Sequence, residues 1–376
     1  MNRKERVQTS LNHQVPDRVP TALWGGPYGL VDDLYFRLLQ ELGFDQPVPP
    51  FRQGHTINHL DDRILDRLGT DTRYVWPGAS PTSPRYATDQ PDRFLDDFGQ
   101  VWIRTYPYFS VTNGILEGAE DIEEIETKVR WPDPNKPDWT AGVTSRARLL
   151  AEQGEHYIIA RMVVSHGPFM LASDLRGASQ MMLDMSLNPA FAAALLERVT
   201  DSICALLEGY MKAGSGCFDM IELPGDDYAS NQNLIFSQAM FREFIKPCIG
   251  RMVATIRKIQ PDIKIMLHSD GAIQKLIPDF IELGIDVLNP VEPVAGMDVK
   301  SVKQEFGSQI SFLGGIDISH AMTGSLKDVR ADVDRCLSDL AAGGGFVLAP
   351  SNHLQADVPA ANVIELFRYA REKGKY

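Results

Sequence analysis

Two imidazoles and two carboxylates in the second half of the chain have the types and setting of a metal-binding group. His268 and Asp270 lie two residues apart in Leu267-His268-Ser269-Asp270-Gly271. Glu292 lies in Asn289-Pro290-Val291-Glu292-Pro293, and His353 ends Ala349-Pro350-Ser351-Asn352-His353. Imidazole nitrogen and carboxylate oxygen both ligate divalent ions, zinc before others. The same four groups could instead form a hydrogen-bonded network with no ion. Asp226-Asp227, after Glu222-Leu223-Pro224-Gly225, offers adjacent acids for proton transfer or an N-cap for the helix that follows. Asp227, His166 and Tyr28 are the candidate catalytic proton donors and orienters. Trp24, Phe169, Met170, Glu222 and Asp226 are candidate substrate contacts. Met170, Met181, Met182 and Met185 gather near Phe169, either as an adaptable pocket lining or as core.

These residues share one property: each follows a short apolar run. The runs are Tyr157 to Ser165, Cys217 to Leu223, Ile263 to Leu267, Asp286 to Val291, Ile310 to Leu313 and Phe346 to Ala349. Each is bounded by Gly or Pro and suits a strand buried on both faces. Helical periodicity fills the gaps, from Asn188 to Ala213, from Ser237 to Ile259, and from Asp357 to about Lys373. Strand–helix alternation predicts a parallel sheet. With Arg18 to Trp24 and Thr72 to Trp76 the strands number about eight, enough to close an α/β (β/α)₈ TIM barrel. Residues from about 78 to 140, rich in Pro, Asp, Trp and Tyr, read as a capping insertion with a hairpin around Phe98 to Thr105. The expectation is a single barrel domain over 1–376, with an N-terminal extension and that insertion. A doubly wound sheet would need a Gly-rich phosphate fingerprint after an early strand, and the sequence has none.

In such a barrel the strand ends build the active site. Polar groups at six consecutive strand ends are not a packing pattern, because buried charge is costly unless paired or metal-bound.

Composition narrows the partners. The chain has 376 residues, 44% hydrophobic, and a net charge of -13. So acidic a surface repels phosphate backbones and anionic lipid, which argues against nucleic acid and membrane surfaces. No apolar run approaches the roughly 20 residues a membrane span needs. Four cysteines without a C-x-x-C pair read as reduced thiols. The charged start, Met1-Asn2-Arg3-Lys4-Glu5-Arg6, lacks the apolar stretch of a signal peptide. A cytoplasmic protein is expected, and a homodimer is compatible with the sequence.

In their order and spacing, several stretches resemble the uroporphyrinogen decarboxylase superfamily over nearly the whole chain. They are Arg3-Lys4-Glu5-Arg6-Val7 with Pro16-Asp17-Arg18-Val19-Pro20, and the His268 and Glu292 motifs above. The closing stretch, from Gly343-Gly344-Gly345-Phe346 to Val358-Pro359-Ala360-Ala361-Asn362-Val363, completes the set. The resemblance implies a (β/α)₈ barrel. True uroporphyrinogen decarboxylases carry an Arg-Gln-Ala-Gly-Arg segment after the first strand, which holds the carboxylates of the tetrapyrrole. Here that place reads Trp24-Gly25-Gly26-Pro27-Tyr28-Gly29-Leu30, with no Arg.

The chain is more similar to the branch of zinc-dependent methyltransferases that move a methyl group between a small donor and a corrinoid protein. Relatives there hold zinc with His-x-Cys after the fifth strand, sometimes Glu after the sixth, and Cys after the eighth. His268 matches the His and Asp270 stands at the first Cys. Glu292 is near the Glu position, and Asn352 falls on the last Cys with His353 beside it. The resemblance therefore implies an O-demethylase-type methyltransferase with zinc or another divalent metal in an N/O site. It also implies a small methoxylated or related methylated substrate, and a corrinoid carried by a partner protein. The competing enzyme reading is a metal-independent decarboxylase or lyase of a small carboxylated substrate, with Asp226 or Asp227 as acid/base. A non-catalytic ligand-binding barrel is the third reading.

Overall fold

The computed structural model describes residues 1–23, 29–50, 56–77, 90, 92–105 and 108–376. Their strands, in chain order, are β1 (Thr72–Val75), β2 (Arg93–Leu95), β3 (Val101–Thr105), β4 (Tyr108–Val111) and β5 (Tyr157–Ala160). β6 (Met220–Glu222), β7 (Lys264–His268), β8 (Val287–Val291), β9 (Ser311–Ile316) and β10 (Phe346–Pro350) follow. β1 and β5 to β10 form one seven-stranded parallel sheet in sequence order, with helices between the strands. Every residue of β5, β6, β8, β9 and β10 is buried, as two-faced burial requires of strands inside a helical shell. The expected strands after residue 70 are thus all found. No helix among the described residues is long and apolar enough to cross a membrane.

The eighth place in the ring belongs to residues 20–22, and they do not form a full strand. Pro20 has no N–H to give, so pairing there is reduced to a few bonds. The Leu348 N–H donates to the Pro20 carbonyl, the Ala22 N–H to the Leu348 carbonyl, and the Asp71 N–H to the Thr21 carbonyl. Thr21 therefore sits between β10 and the start of β1. Side chains complete the closure around the fully buried Asp71. Its carboxylate accepts from Arg6 Nη1 at 2.7 Å, from both Arg18 Nη atoms at 2.8 and 2.9 Å, and from the Thr21 N–H at 2.8 Å. The N-terminal helix Arg3–Leu11 is thereby tied to the same point.

The insertion forms a separate antiparallel sheet in the order β2-β3-β4. The expected hairpin is a three-stranded meander. Its first turn is held by Asp96, whose Oδ1 accepts from the Phe98 and Gln100 N–H groups, the usual way an Asp stabilises a turn. Across its strands Phe94 lies parallel to Trp102, with centroids 5.9 Å apart, and meets Phe109 edge-on at 5.0 Å.

One helix departs from expectation. The periodicity from Ser237 to Ile259 is interrupted by a π turn at Phe241–Ile245, where the Lys246 N–H reaches back five residues to the Phe241 carbonyl. Pro247 follows immediately. It lacks the N–H an unbroken α-helix would use, and the wider turn takes up the mismatch.

Asp71→Asn keeps the shape of the closure but removes the charge facing the buried Arg6 and half-buried Arg18 guanidinium groups. It should lower unfolding free energy by about 3 kcal/mol or more, read from denaturant midpoints. An unchanged midpoint would mean that the backbone bonds alone close the ring.

Candidate active site

Parallel strands deliver their C-terminal ends to one mouth. β5 leads to His166, β6 to Glu222, Asp226 and Asp227, and β7 to His268 and Asp270. β8 carries Asn289 and leads to Glu292, and β10 leads to Asn352 and His353. Trp24 and Tyr28 lie outside the described residues.

The tightest group at the mouth is Asp227, His268 and Asp270, whose donor atoms all lie within 4.8 Å of one another. Glu292 and His353 are not part of that group. Sequence spacing brought out His268 and Asp270. Asp227 joins them because β6 and β7 are neighbours in the sheet.

Each member is held from behind. Asn289 Nδ2 donates to the Leu313 carbonyl at 3.1 Å, which fixes the amide and turns its Oδ1 toward His268 Nδ1 at 2.9 Å. Nδ1 therefore carries the ring hydrogen, and Nε2 presents its lone pair. Nε2 lies 3.6 Å from Asp270 Oδ1. The other Asp270 oxygen accepts from Asn352 Nδ2 at 2.6 Å, and the Asp270 N–H donates to Asp227 Oδ1 at 2.9 Å. Glu292 Oε2 accepts from the Gly271 N–H at 2.9 Å. Gly225 lets the loop after β6 come this close, since a Cβ there would stand 2.7 Å from the His268 ring.

Electrostatically the group is crowded. Burial pushes the Asp270 carboxyl well above the usual carboxylate range, and the charges of Asp227 and Glu292 push it further. Glu292 is raised by burial first, then by Asp227 and Asp317. Asp270 Oδ1 is buried and accepts no hydrogen bond. A lone pair on nitrogen facing a buried carboxylate oxygen is unfavourable unless a proton or a cation lies between them. The residues therefore fit a divalent ion, which Asp227, His268 and Asp270 could hold, and the N/O donor set suits zinc or a harder metal.

A second polar pair stands after β5. His166 Nδ1 lies 2.5 Å from Asp174 Oδ2, on the helix Pro168–Arg176 that follows it. Burial disfavours the charged ring, but the Asp174 carboxylate, aided by Asp226 and Asp227, outweighs burial and raises His166 to about 8. Trp102 of β3 packs over the ring, with centroids 5.7 Å apart. Across the mouth Tyr108 of β4 meets the His353 ring edge-on at 6.4 Å. The insertion thus caps the mouth.

Asp226 has a structural post. Fully buried, it accepts from the Phe169 and Met170 N–H groups and from the Tyr228 hydroxyl, so it caps the start of the helix Pro168–Arg176 and not the helix that follows it. Gly167 leaves room for it, because a Cβ there would meet its carboxyl at 2.6 Å. Burial nonetheless holds Asp226 up at about 7. Phe169 is buried against Phe236, Met170 is half-buried, and Met181 and Met185 belong to the core. Glu222 pairs with Arg161 at 2.5 Å, both wholly buried inside the barrel.

Arg161, Asp174, Trp102, Tyr108 and Asn289 went unremarked as site residues in the sequence. Arg161 left a signal, a charge within an apolar run. The others left none, because their roles depend on which elements the fold brings together.

Three comparisons with known proteins bear on this site. A family model described as uroporphyrinogen decarboxylase (URO-D) matches residues 106–373. The chain is 22% identical over 188 residues to uroporphyrinogen decarboxylase of Chlorobium limicola, covering 50% of each chain. It is 22% identical over 287 residues to that of Pseudomonas paraeruginosa, covering 70% of this chain and 73% of the relative. Against the first of these, the chain spans about half the relative's length. A solved structure described as a methyltransferase from Methanosarcina mazei superposes with a TM-score of 0.65 at 19% identity, covering 99% of both chains.

His166 makes the site's charge testable. Its folded value is raised, so its pairing is fully stabilising below the ordinary histidine value of about 6.5 and fades as pH rises through about 8. In histidine-labelled protein, NMR should find one ring titrating near 8. Asp174→Asn should lower that value, because burial is then opposed only by the weaker pull of Asp226 and Asp227. An unshifted titration would break the pairing argument.

Proposed function

This chain belongs to the uroporphyrinogen decarboxylase family, and we propose that within it the chain is a metal-assisted methyltransferase. It takes a methyl group from a small methoxylated or related methylated compound and passes it to the corrinoid of a separate partner protein. The observation that carries this reading is the convergence of Asp227, His268 and Asp270. Simple decarboxylation asks for no such arrangement. The likeness in fold to a protein described as a methyltransferase supports the same branch.

The chemistry sets the demand. An alkoxide or phenoxide is a poor leaving group, so the oxygen losing its methyl must be stabilised as charge develops there. A divalent ion held by Asp227, His268 and Asp270 would supply Lewis-acid polarisation of that oxygen. Asn289 keeps the His268 lone pair turned toward the ligand group, and Asn352 and the Asp270 N–H keep the two carboxylates in register. His166, charged at neutral pH and held by Asp174, is a proton source for the same oxygen. In balance, the C–O bonding pair stays on oxygen, the oxygen takes one proton, and the methyl group leaves to the reduced corrinoid. The cap of β2, β3 and β4 excludes water from one side of the mouth.

A second reading has an observation of its own. The curated relatives are decarboxylases, and Asp226, at about 7, has the protonation behaviour of an acid/base. Its carboxyl is fully buried and already engaged by two backbone N–H groups and a tyrosine. The acids crowding the mouth also repel a carboxylated substrate.

Elemental analysis tests the ligand set. His268→Ala, Asp227→Asn and Asp270→Asn should each lose metal, whereas Glu292→Gln and His353→Ala should keep most of it. Full metal content in His268→Ala would sink the assignment. For the reaction, methoxylated compounds should be screened against a reduced corrinoid protein as methyl acceptor. His268→Ala should lower kcat at least about a hundredfold with little change in KM. Demethylation without a corrinoid acceptor, or carbon dioxide released from a carboxylated substrate, would overturn the methyltransferase reading.

A further inference from the structure

The capping sheet reaches the site through one aromatic residue that is itself held in place. Asp96 closes the turn between β2 and β3 with Oδ1, and its Oδ2 accepts from Trp102 Nε1 at 2.9 Å. Phe94, its cross-strand partner, lies beside the indole with the ring planes nearly parallel and the centroids 5.9 Å apart. Held by both contacts, the indole has little freedom to swing. It lies against the His166 ring at 5.7 Å and a 56° tilt. Behind His166, Asp174 takes Nδ1 at 2.5 Å. The order is thus Asp96, Trp102, His166, Asp174, running from the insertion into the barrel wall.

We propose that Trp102, locked by Asp96, is a positioning residue that holds the His166 ring on Asp174 and shields that hydrogen bond from water. The inference rests on the role given to His166 in the proposed function, but its test does not. Two physical arguments support it. A short hydrogen bond between imidazole and carboxylate is worth most where water cannot compete for either partner. An aromatic face beside a charged imidazole also favours the charge, in the manner of a cation–π contact. The groups facing His166 are Asp174 on the helix that follows it, Asp226 and Asp227 from the loop after β6, and Trp102 from the cap. The cap would then belong to the proton-holding apparatus and not only to a lid.

The probe is the ring N–H itself. An imidazole N–H is visible by proton NMR only while it is protected from exchange with water. The full-length protein should show a low-field ring N–H that disappears in Asp174→Asn, which assigns it to His166. Trp102→Phe should retain it, because a ring still covers the pair. Trp102→Leu should speed its exchange at least about tenfold or erase it. Asp96→Asn, which weakens the hold on the indole without removing it, should give a smaller increase and covers the case in which Trp102→Leu fails to fold. Unchanged exchange in folded Trp102→Leu, or in Asp96→Asn where Trp102→Leu does not fold, would overturn the proposal. If methyl transfer is also observed, kcat should fall in Trp102→Leu with KM nearly constant, and Trp102→Phe should restore it. If no methyl transfer is found, the functional reading fails while the exchange data still decide the role of Trp102.

Discussion

The architecture depends on closing a parallel ring, and the closing contact is the buried Asp71 carboxylate. Seven strands pair in sequence, but β1 and β10 would each present a bare edge without residues 20–22 between them. An open edge of that kind leaves backbone groups unsatisfied and exposes a template for wrong pairing. Because Pro20 cannot donate, backbone bonding alone is thin there. Arg6, Arg18 and Thr21 converge on Asp71 to make up the difference. Once the ring is shut, every strand end faces the same way, and the polar loops have nowhere else to gather.

That gathering creates the site's tension. A barrel mouth is partly shielded from water, and the sequence puts Asp227, Asp270 and Glu292 into it on three adjacent loops. Burial and mutual repulsion both raise the cost of ionising them, which is why Asp270 stands well above the ordinary carboxylate range. Folding tolerates such a cluster where something neutralises it. The surrounding groups are arranged for that: Asn289 turns a lone pair inward, and Asn352 and backbone N–H groups hold three of the carboxylate oxygens. A cation at that point satisfies the nitrogen and the oxygens together, whereas a single proton satisfies one contact.

The fold was legible because its signal is local. Apolar runs bounded by Gly and Pro mark buried strands, and the runs after residue 70 match the observed strands closely. The first strand was less legible, because Arg18 to Trp24 carries the composition of a strand but Pro20 removes a donor. The long helix from Ser237 read as continuous because periodicity survives a π turn. In the site, His268 and Asp270 share one loop and could be picked out by spacing. Asp227 was visible as an acid but not as their partner, since that depends on which strands are neighbours. Asp174 lies two helical turns beyond His166, and the contact between Trp102 and His166 joins an insertion to a barrel loop. Neither pairing leaves a pattern in a linear sequence.

The placement of charge around the mouth follows from the same geometry. The acids sit on the loops after β6, β7 and β8, while the cap's contacts fall on His166 after β5 and His353 after β10, the strands flanking the closing segment and β1. One side of the mouth is therefore acidic and not reached by these cap contacts, and the other is aromatic and covered. A charged imidazole survives on the covered side because Asp174 is paired to it, despite the burial that opposes it. On the acidic side the proposed cation would supply the charge balance. An oxygen lying between the two would meet a proton held by the protein on one side and a site for a cation on the other. Two separate sources of positive charge suit a reaction whose difficulty is negative charge building on a single oxygen.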